Sequence, residues 1–119
     1  MSIFSNGDVL IFQGEKYVFK RYFHIKQENR TKGLILPLER KDRSKLIDLK
    51  QLIMESQVFS IPGIAFVLNQ EVYCRKHRRK GKIIRICSKE TIQVKLFACR
   101  KWFKKLPERI IYISPEELS

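Results

Sequence analysis

Apolar residues in this chain recur mainly with period two, in short blocks separated by turn chemistry, and that pattern allows little besides strands. Val9-Leu10-Ile11-Phe12 and Tyr17-Val18-Phe19-Lys20-Arg21-Tyr22-Phe23 are dominated by β-branched and aromatic residues. Gln13-Gly14-Glu15-Lys16 lies between them, so the pair reads as a hairpin. Gly33-Leu34-Ile35-Leu36-Pro37-Leu38 is a third strand, and Pro37 confines that end to an edge or a bulge. Further on, residues 82–87 and 91–97 alternate in the same way around the turn Ser88-Lys89-Glu90, and Arg109-Ile110-Ile111-Tyr112-Ile113 is a later strand. The stretch Ser44 to Glu55 fits two periods. Leu46, Leu49 and Ile53 make a helical stripe with Asp42 or Ser44 as N-cap, whereas Ile47, Leu49 and Leu52 suit a strand ending in a turn. A short helical segment is the reading adopted there. The expectation is a mainly β fold of one or two small barrels with a short helical segment.

The 119 residues suffice for one compact unit or two very small ones, and a hydrophobic fraction of 44% is that of a folded chain. Alignment of the two halves reveals a weak internal repeat. Asn6-Gly7-Asp8-Val9 matches Asn69-Gln70-Glu71-Val72, and Tyr17-Val18-Phe19-Lys20-Arg21 matches Lys82-Ile83-Ile84-Arg85-Ile86. Gly33 to Leu38 matches Thr91 to Leu96, and Ile47-Asp48-Leu49-Lys50-Gln51-Leu52 matches Ile113-Ser114-Pro115-Glu116-Glu117-Leu118. The organisation expected is an N-terminal small barrel over 1–56, a connecting segment over 57–68 and a basic C-terminal barrel over 69–119.

Charge separates the halves. The chain carries 25 Lys and Arg against 12 Asp and Glu, a net +13, and the window from Cys74 to Lys105 holds 13 of the bases and one acid, Glu90. Solubility is served by scattered charge; concentrated charge suits a linear polyanion, because each neutralised phosphate releases condensed counterions. One cluster is Arg75-Lys76-His77-Arg78-Arg79-Lys80-Gly81-Lys82. A second is Arg100-Lys101-Trp102-Phe103-Lys104-Lys105, where aromatic faces flanked by cations suit stacking on exposed bases. The nucleic-acid-binding residues expected are Arg75, Lys76, Arg78, Arg79, Lys80, Lys82, Arg100, Lys101, Trp102, Lys104 and Lys105. Tyr22-Phe23 beside Lys20, Arg21 and Lys26 offers a smaller pairing of the same kind.

Other chemistries find little support. No run of 18 apolar residues could span a membrane, and the start of the chain carries no signal-like segment. Three cysteines make a poor disulfide framework and fit a reducing, cytoplasmic setting. Cys74-x-x-His77 has knuckle-like spacing that Cys87 and Cys99 could complete, but the surrounding cations disfavour Zn²⁺. Cys87 and Cys99 read instead as small core residues. With two histidines, no phosphate-cradling glycine loop and no carboxylate pair, neither an enzyme nor a small-molecule substrate or cofactor is expected.

Residues 79–86, followed by Ile92-Gln93-Val94-Lys95-Leu96-Phe97, resemble a KOW-type motif: a basic lead-in, a glycine, an alternating strand, a turn and a second strand. The closing Ile113 to Leu118 is similar to the last strand and turn of small SH3-like barrels. The resemblance covers about 45 residues and implies an architecture shared by ribosomal proteins, transcription elongation factors, Tudor domains and the DNA-binding barrels of integrases. More weakly, Gly7-Asp8-Val9 and Gly14-Glu15-Lys16-Tyr17-Val18 resemble the start of small barrels attached to Mu-like transposases. The resemblance implies a non-catalytic DNA- or RNA-binding accessory protein of a larger nucleoprotein assembly. SH3-like subunits of electron-transfer complexes share the shape, so the alternative is a structural subunit whose basic barrel docks on an acidic protein surface.

Overall fold

The computed structural model describes residues 3–39, 43–101 and 104–119. It is mainly β and divides into two compact units, Met1–Pro62 and Gly63–Ser119.

The first unit runs β1 (Val9–Phe12), β2 (Glu15–Ile25), β3 (Arg30–Pro37), β4 (Lys45–Asp48), α1 (Leu49–Glu55) and β5 (Ser56–Ser60). Its sheet has the order β4-β3-β2-β1-β5, and every neighbouring pair is antiparallel. Gln13 and Gly14, both at positive φ, close the first hairpin in two residues. Pro37 lies beyond the end of β4, which pairs only as far as Ile35, so its missing N–H breaks no bond on that side. In a flat sheet β4 and β5 would lie about 19 Å apart, four strand spacings, whereas the seven residues of α1 rise only about 10 Å. The sheet therefore curls, and α1 touches β3, β4 and β5.

Inside the curl, Leu10, Phe12, Tyr17, Phe19, Ile35 and Leu52 are fully buried. The rings of Phe4 and Tyr22 pack on Phe19, with centroids 5.5 and 4.8 Å away. The Tyr22 hydroxyl accepts from the Phe4 N–H (2.6 Å) and donates to the Phe4 carbonyl (2.8 Å), which pins the N-terminal segment to the core.

The second unit runs β6 (Glu71–Cys74), β7 (Arg79–Ile86), β8 (Ile92–Leu96), β9 (Cys99–Lys101), β10 (Lys104–Leu106) and β11 (Arg109–Ile113), then a single 3-10 turn (Pro115–Glu117). The sheet order is β11-β8-β7-β6, and β9 and β10 form their own hairpin. After the 3-10 turn the chain returns to β6. Leu118 bridges Cys74, and Tyr73 and Ser119 exchange backbone bonds of 2.9 and 3.0 Å. The core is aliphatic: Val72, Ile83, Ile86, Ile92, Val94, Leu96, Ile111, Ile113 and Leu118 are buried.

The two units share one plan down to single hydrogen bonds. A bulge falls at Lys20 in β2 and at Ile84 in β7. Gly7 N–H donates to Phe19 O and Phe19 N–H to Asp8 O; Asn69 N–H donates to Ile83 O and Ile83 N–H to Gln70 O. Gly7 and Asn69 both have positive φ. The Asp8 carboxylate accepts from Ser5 N–H at 2.9 Å, and the Gln70 amide oxygen accepts from Val67 N–H at 3.0 Å. Leu38 N–H donates to Lys16 O, and Phe97 N–H to Lys80 O.

These bonds correct the sequence alignment of the repeat. Three of its four blocks are displaced by one residue: Gly7 corresponds to Asn69, Tyr17 to Gly81 and Gly33 to Ile92. The fourth block, Ile47 to Leu52 against Ile113 to Leu118, stands as aligned. Matching apolar residues by type had placed outward ones on inward ones, since one step along a strand changes the face.

Residues 57–68 are no separate connection. Gln57 to Ser60 continue β5 on β1, and residues from Gly63 onward belong to the second unit. Over 44–55 the chain is strand at Lys45–Asp48 and helix at Leu49–Glu55, so the short helical segment is present but neither single period runs through the stretch. Asp48 occupies the N-cap position, Ser44 precedes the strand, and Asp42 lies outside the described residues. Leu52, rather than Ile53, is the buried residue of the helix.

Candidate nucleic-acid interface

The basic window of the sequence folds into two loops of the second unit. The first is the turn Arg75–Arg78, closed by the Cys74–Arg79 pair and by Arg78 at positive φ. The second is the β9–β10 hairpin, which lies between β8 and β11 in the chain.

Arg79 joins them. It is only 8% exposed, and its guanidinium donates to the carbonyls of Phe97 (2.7 Å) and Pro107 (2.6 Å), one on each stem of the β9–β10 hairpin. Lys101 reaches back to the Arg78 carbonyl, and Arg75 to the Glu116 carbonyl. The two clusters, about 20 residues apart in sequence, thus meet at one end of the second unit.

Arg79 is therefore a correction to the expected phosphate contacts. Its charge is spent inside the fold on backbone acceptors, and its Nε finds no partner among the described residues. Trp102, and Phe103 beside it, lie outside the described residues. The other expected residues stay accessible. Arg75, Lys76, Arg78, Lys80, Arg100, Lys104 and Lys105 are exposed, and Lys82 and Lys101 are half-buried. Among the described residues the one ion pair within 4 Å is Lys95 with Glu108, at 3.6 Å. The loop cations have carbonyls for company, and carbonyls neutralise no charge. Cations gathered without carboxylates raise the local positive potential, which is the condition for drawing in a polyanion.

The smaller grouping in the first unit is used internally. Arg21 lies over the Phe23 ring at 4.5 Å, and Tyr22 is tied to Phe4.

The cysteines also depart from expectation. Cys74 is the buried one, Cys87 is exposed and Cys99 is half-buried. Among the described residues no three His, Cys, Asp or Glu side chains gather into a metal-sized group. Among them, too, no helix is long and apolar enough to cross a membrane.

Residues on the outer face of this sheet went unnoticed in the sequence. Arg85, Gln93, Lys95, Ile110 and Tyr112 all point outward beside Lys80 and Lys82, and Tyr112 is 65% exposed. Their signal was the period-two pattern, once the bulge at Ile84 is allowed for.

No family model, no curated protein and no solved structure matches this chain.

Proposed function

We propose that this chain is a non-catalytic nucleic-acid-binding protein, an accessory piece of a larger nucleoprotein assembly in a reducing cytoplasm. Each unit, in this reading, is an SH3-like barrel. The shared plan of a four-strand meander, a helical turn and a return strand on the first strand supports the likeness. The observation that carries the function is the convergence of the 75–78 turn and the β9–β10 hairpin, held by Arg79, with exposed cations that face no carboxylate within 4 Å among the described residues. Phosphates take the place of the missing acids. Arg75, Lys76, Arg78, Lys80, Arg100, Lys104 and Lys105 contact the backbone, with Lys82 and Lys101 at the margin. Such contacts position a nucleic acid without reading its sequence.

Fluorescence anisotropy with labelled single-stranded and duplex oligonucleotides over a salt series tests this. With one phosphate neutralised by each of these contacts, those at the margin aside, log K falls against log salt with a slope of about −4.9 for single strands and about −6.3 for duplex DNA. A flat response, or no binding at low salt, contradicts the reading and favours docking on an acidic protein.

A further inference from the structure

Phosphate-tracking loops leave open what holds the bases, and the outer face of the second unit's sheet supplies an answer. We infer that this face is a stacking platform for single-stranded nucleic acid, with Tyr112 as its principal ring. The inference rests on the nucleic-acid reading above and gives it a strand type and a second contact surface.

Strand pairing sets out the face in rows. Tyr112 lies opposite Gln93, which lies opposite Arg85. The Gln93 amide donates to the Tyr112 hydroxyl at 3.4 Å, a long contact that leaves the ring face open. In the next row Ile110 lies opposite Lys95, and Lys95 opposite Lys82. Beyond it Lys80 faces Tyr73, a second exposed ring. The one acid among the outward positions of these strands is Glu71, opposite Lys82.

Two features choose the occupant. The first is charge: Lys80, Lys82, Arg85 and Lys95 stand on the face against two carboxylates, Glu71 opposite Lys82 and Glu108 at 3.6 Å from Lys95, and Lys80 directly follows the cationic turn. The second is the kind of apolar surface left in water. Tyr112 is 65% and Ile110 56% exposed, on regular strands whose inward residues are already packed. An aromatic face beside cations is the arrangement that stacks a base while its phosphates are neutralised, and it suits unpaired bases, which alone offer a free π-face. At the places of Lys80 and Arg85 the first unit also has cations, Lys16 and Arg21, but at those of Tyr112, Gln93, Lys95 and Lys82 it has Leu46, Leu34, Leu36 and Val18. The shared fold therefore does not by itself require cations or a tyrosine there.

The test uses the full chain and an oligothymidylate of roughly twelve nucleotides, near the upper range of one small barrel's site. Tyr112→Ala is expected to weaken single-strand binding by about 5- to 150-fold with the salt slope unchanged, and Tyr112→Phe to restore it. Arg85→Ala makes an independent check: the slope becomes shallower by about 0.7. Duplex affinity stays as in the parent protein for Tyr112→Ala. Equal melting temperatures show that the exposed ring is no structural element. If Tyr112→Ala and Arg85→Ala both leave oligothymidylate binding unchanged while loss of the loop cations abolishes it, the platform is refuted and the loop site stands. If the parent protein binds neither single strands nor duplex at low salt, both readings fall.

Discussion

The two units are built on one plan and differ at the first hairpin turn, in the core and on the outer face. In the first, the hairpin turn between its first two strands is Gln13-Gly14; in the second it is Arg75-Lys76-His77-Arg78. The residue that follows is exposed Glu15 in one and buried Arg79 in the other. Tyr17, fully buried with its hydroxyl near Glu15 (3.1 Å) and Lys45 (3.1 Å), corresponds to Gly81. The outer face is mainly aliphatic in the first unit and mainly cationic in the second. A backbone plan held to the level of shared bulges thus fixes the inward positions as apolar and leaves turns, the β9–β10 hairpin and the outward face free to specialise. The first unit uses that freedom for a mainly aliphatic outer face and about two turns of helix. The second spends it on gathering positive charge.

The largest expected effect lies in the aromatic core. Phe19→Ala removes a ring that touches Phe4 and Tyr22 and should cost about 3–5 kcal/mol in urea unfolding. A cost near 1 kcal/mol would mean that the core of the first unit collapses around the hole.

Next comes the contrast at one equivalent position. Arg79→Ala leaves two carbonyls without their charged donor and should lower stability by roughly 2–4 kcal/mol. Glu15→Ala, at the matching place, removes an exposed side chain that accepts one hydrogen bond from Tyr17 and should cost about 0.5–1.5 kcal/mol. Equal effects at the two sites would erase the distinction between them.

Gly81→Ala is smaller again. A Cβ there would lie 2.8 Å from the Lys95 carbonyl and 2.8 Å from a Val94 methyl, so crowding should cost about 1–3 kcal/mol by thermal melting. A neutral outcome would show that β7 and β8 can part to admit it.

Much of this was legible in the sequence, for identifiable reasons. Alternation of β-branched and aromatic residues marked β1, β2, β3, β7, β8 and β11, because each has one face on a core. The short strands β5, β6, β9 and β10 escaped. Lys104-Lys105-Leu106 and Cys99-Arg100-Lys101 carry no inward apolar alternation, since a two-stranded hairpin has little core to face. The position of positive charge was plain, but the burial of Arg79 was not. Local sequence gives it the same neighbours as Arg78, and only the carbonyls of Phe97 and Pro107, brought in by the later hairpin, draw it inside. The outward position of Arg85 was hidden by the bulge at Ile84, which reverses the apparent face of the β7 residues after it.

Under the proposed function, position and not net charge alone makes the second unit the one that binds a polyanion. Two variants of equal charge test it: Lys76, Arg78, Lys104 and Lys105 to Ala in the second unit, and Lys26, Arg30, Arg43 and Lys50 to Ala in the first. All eight residues are exposed. The measurement is the salt dependence of oligothymidylate binding. The second-unit variant should show a slope shallower by roughly 2.8, at about 0.7 per lost phosphate contact, while the first-unit variant keeps the parent slope. Equal losses from the two variants would contradict the account and reduce the binding to diffuse attraction by total charge.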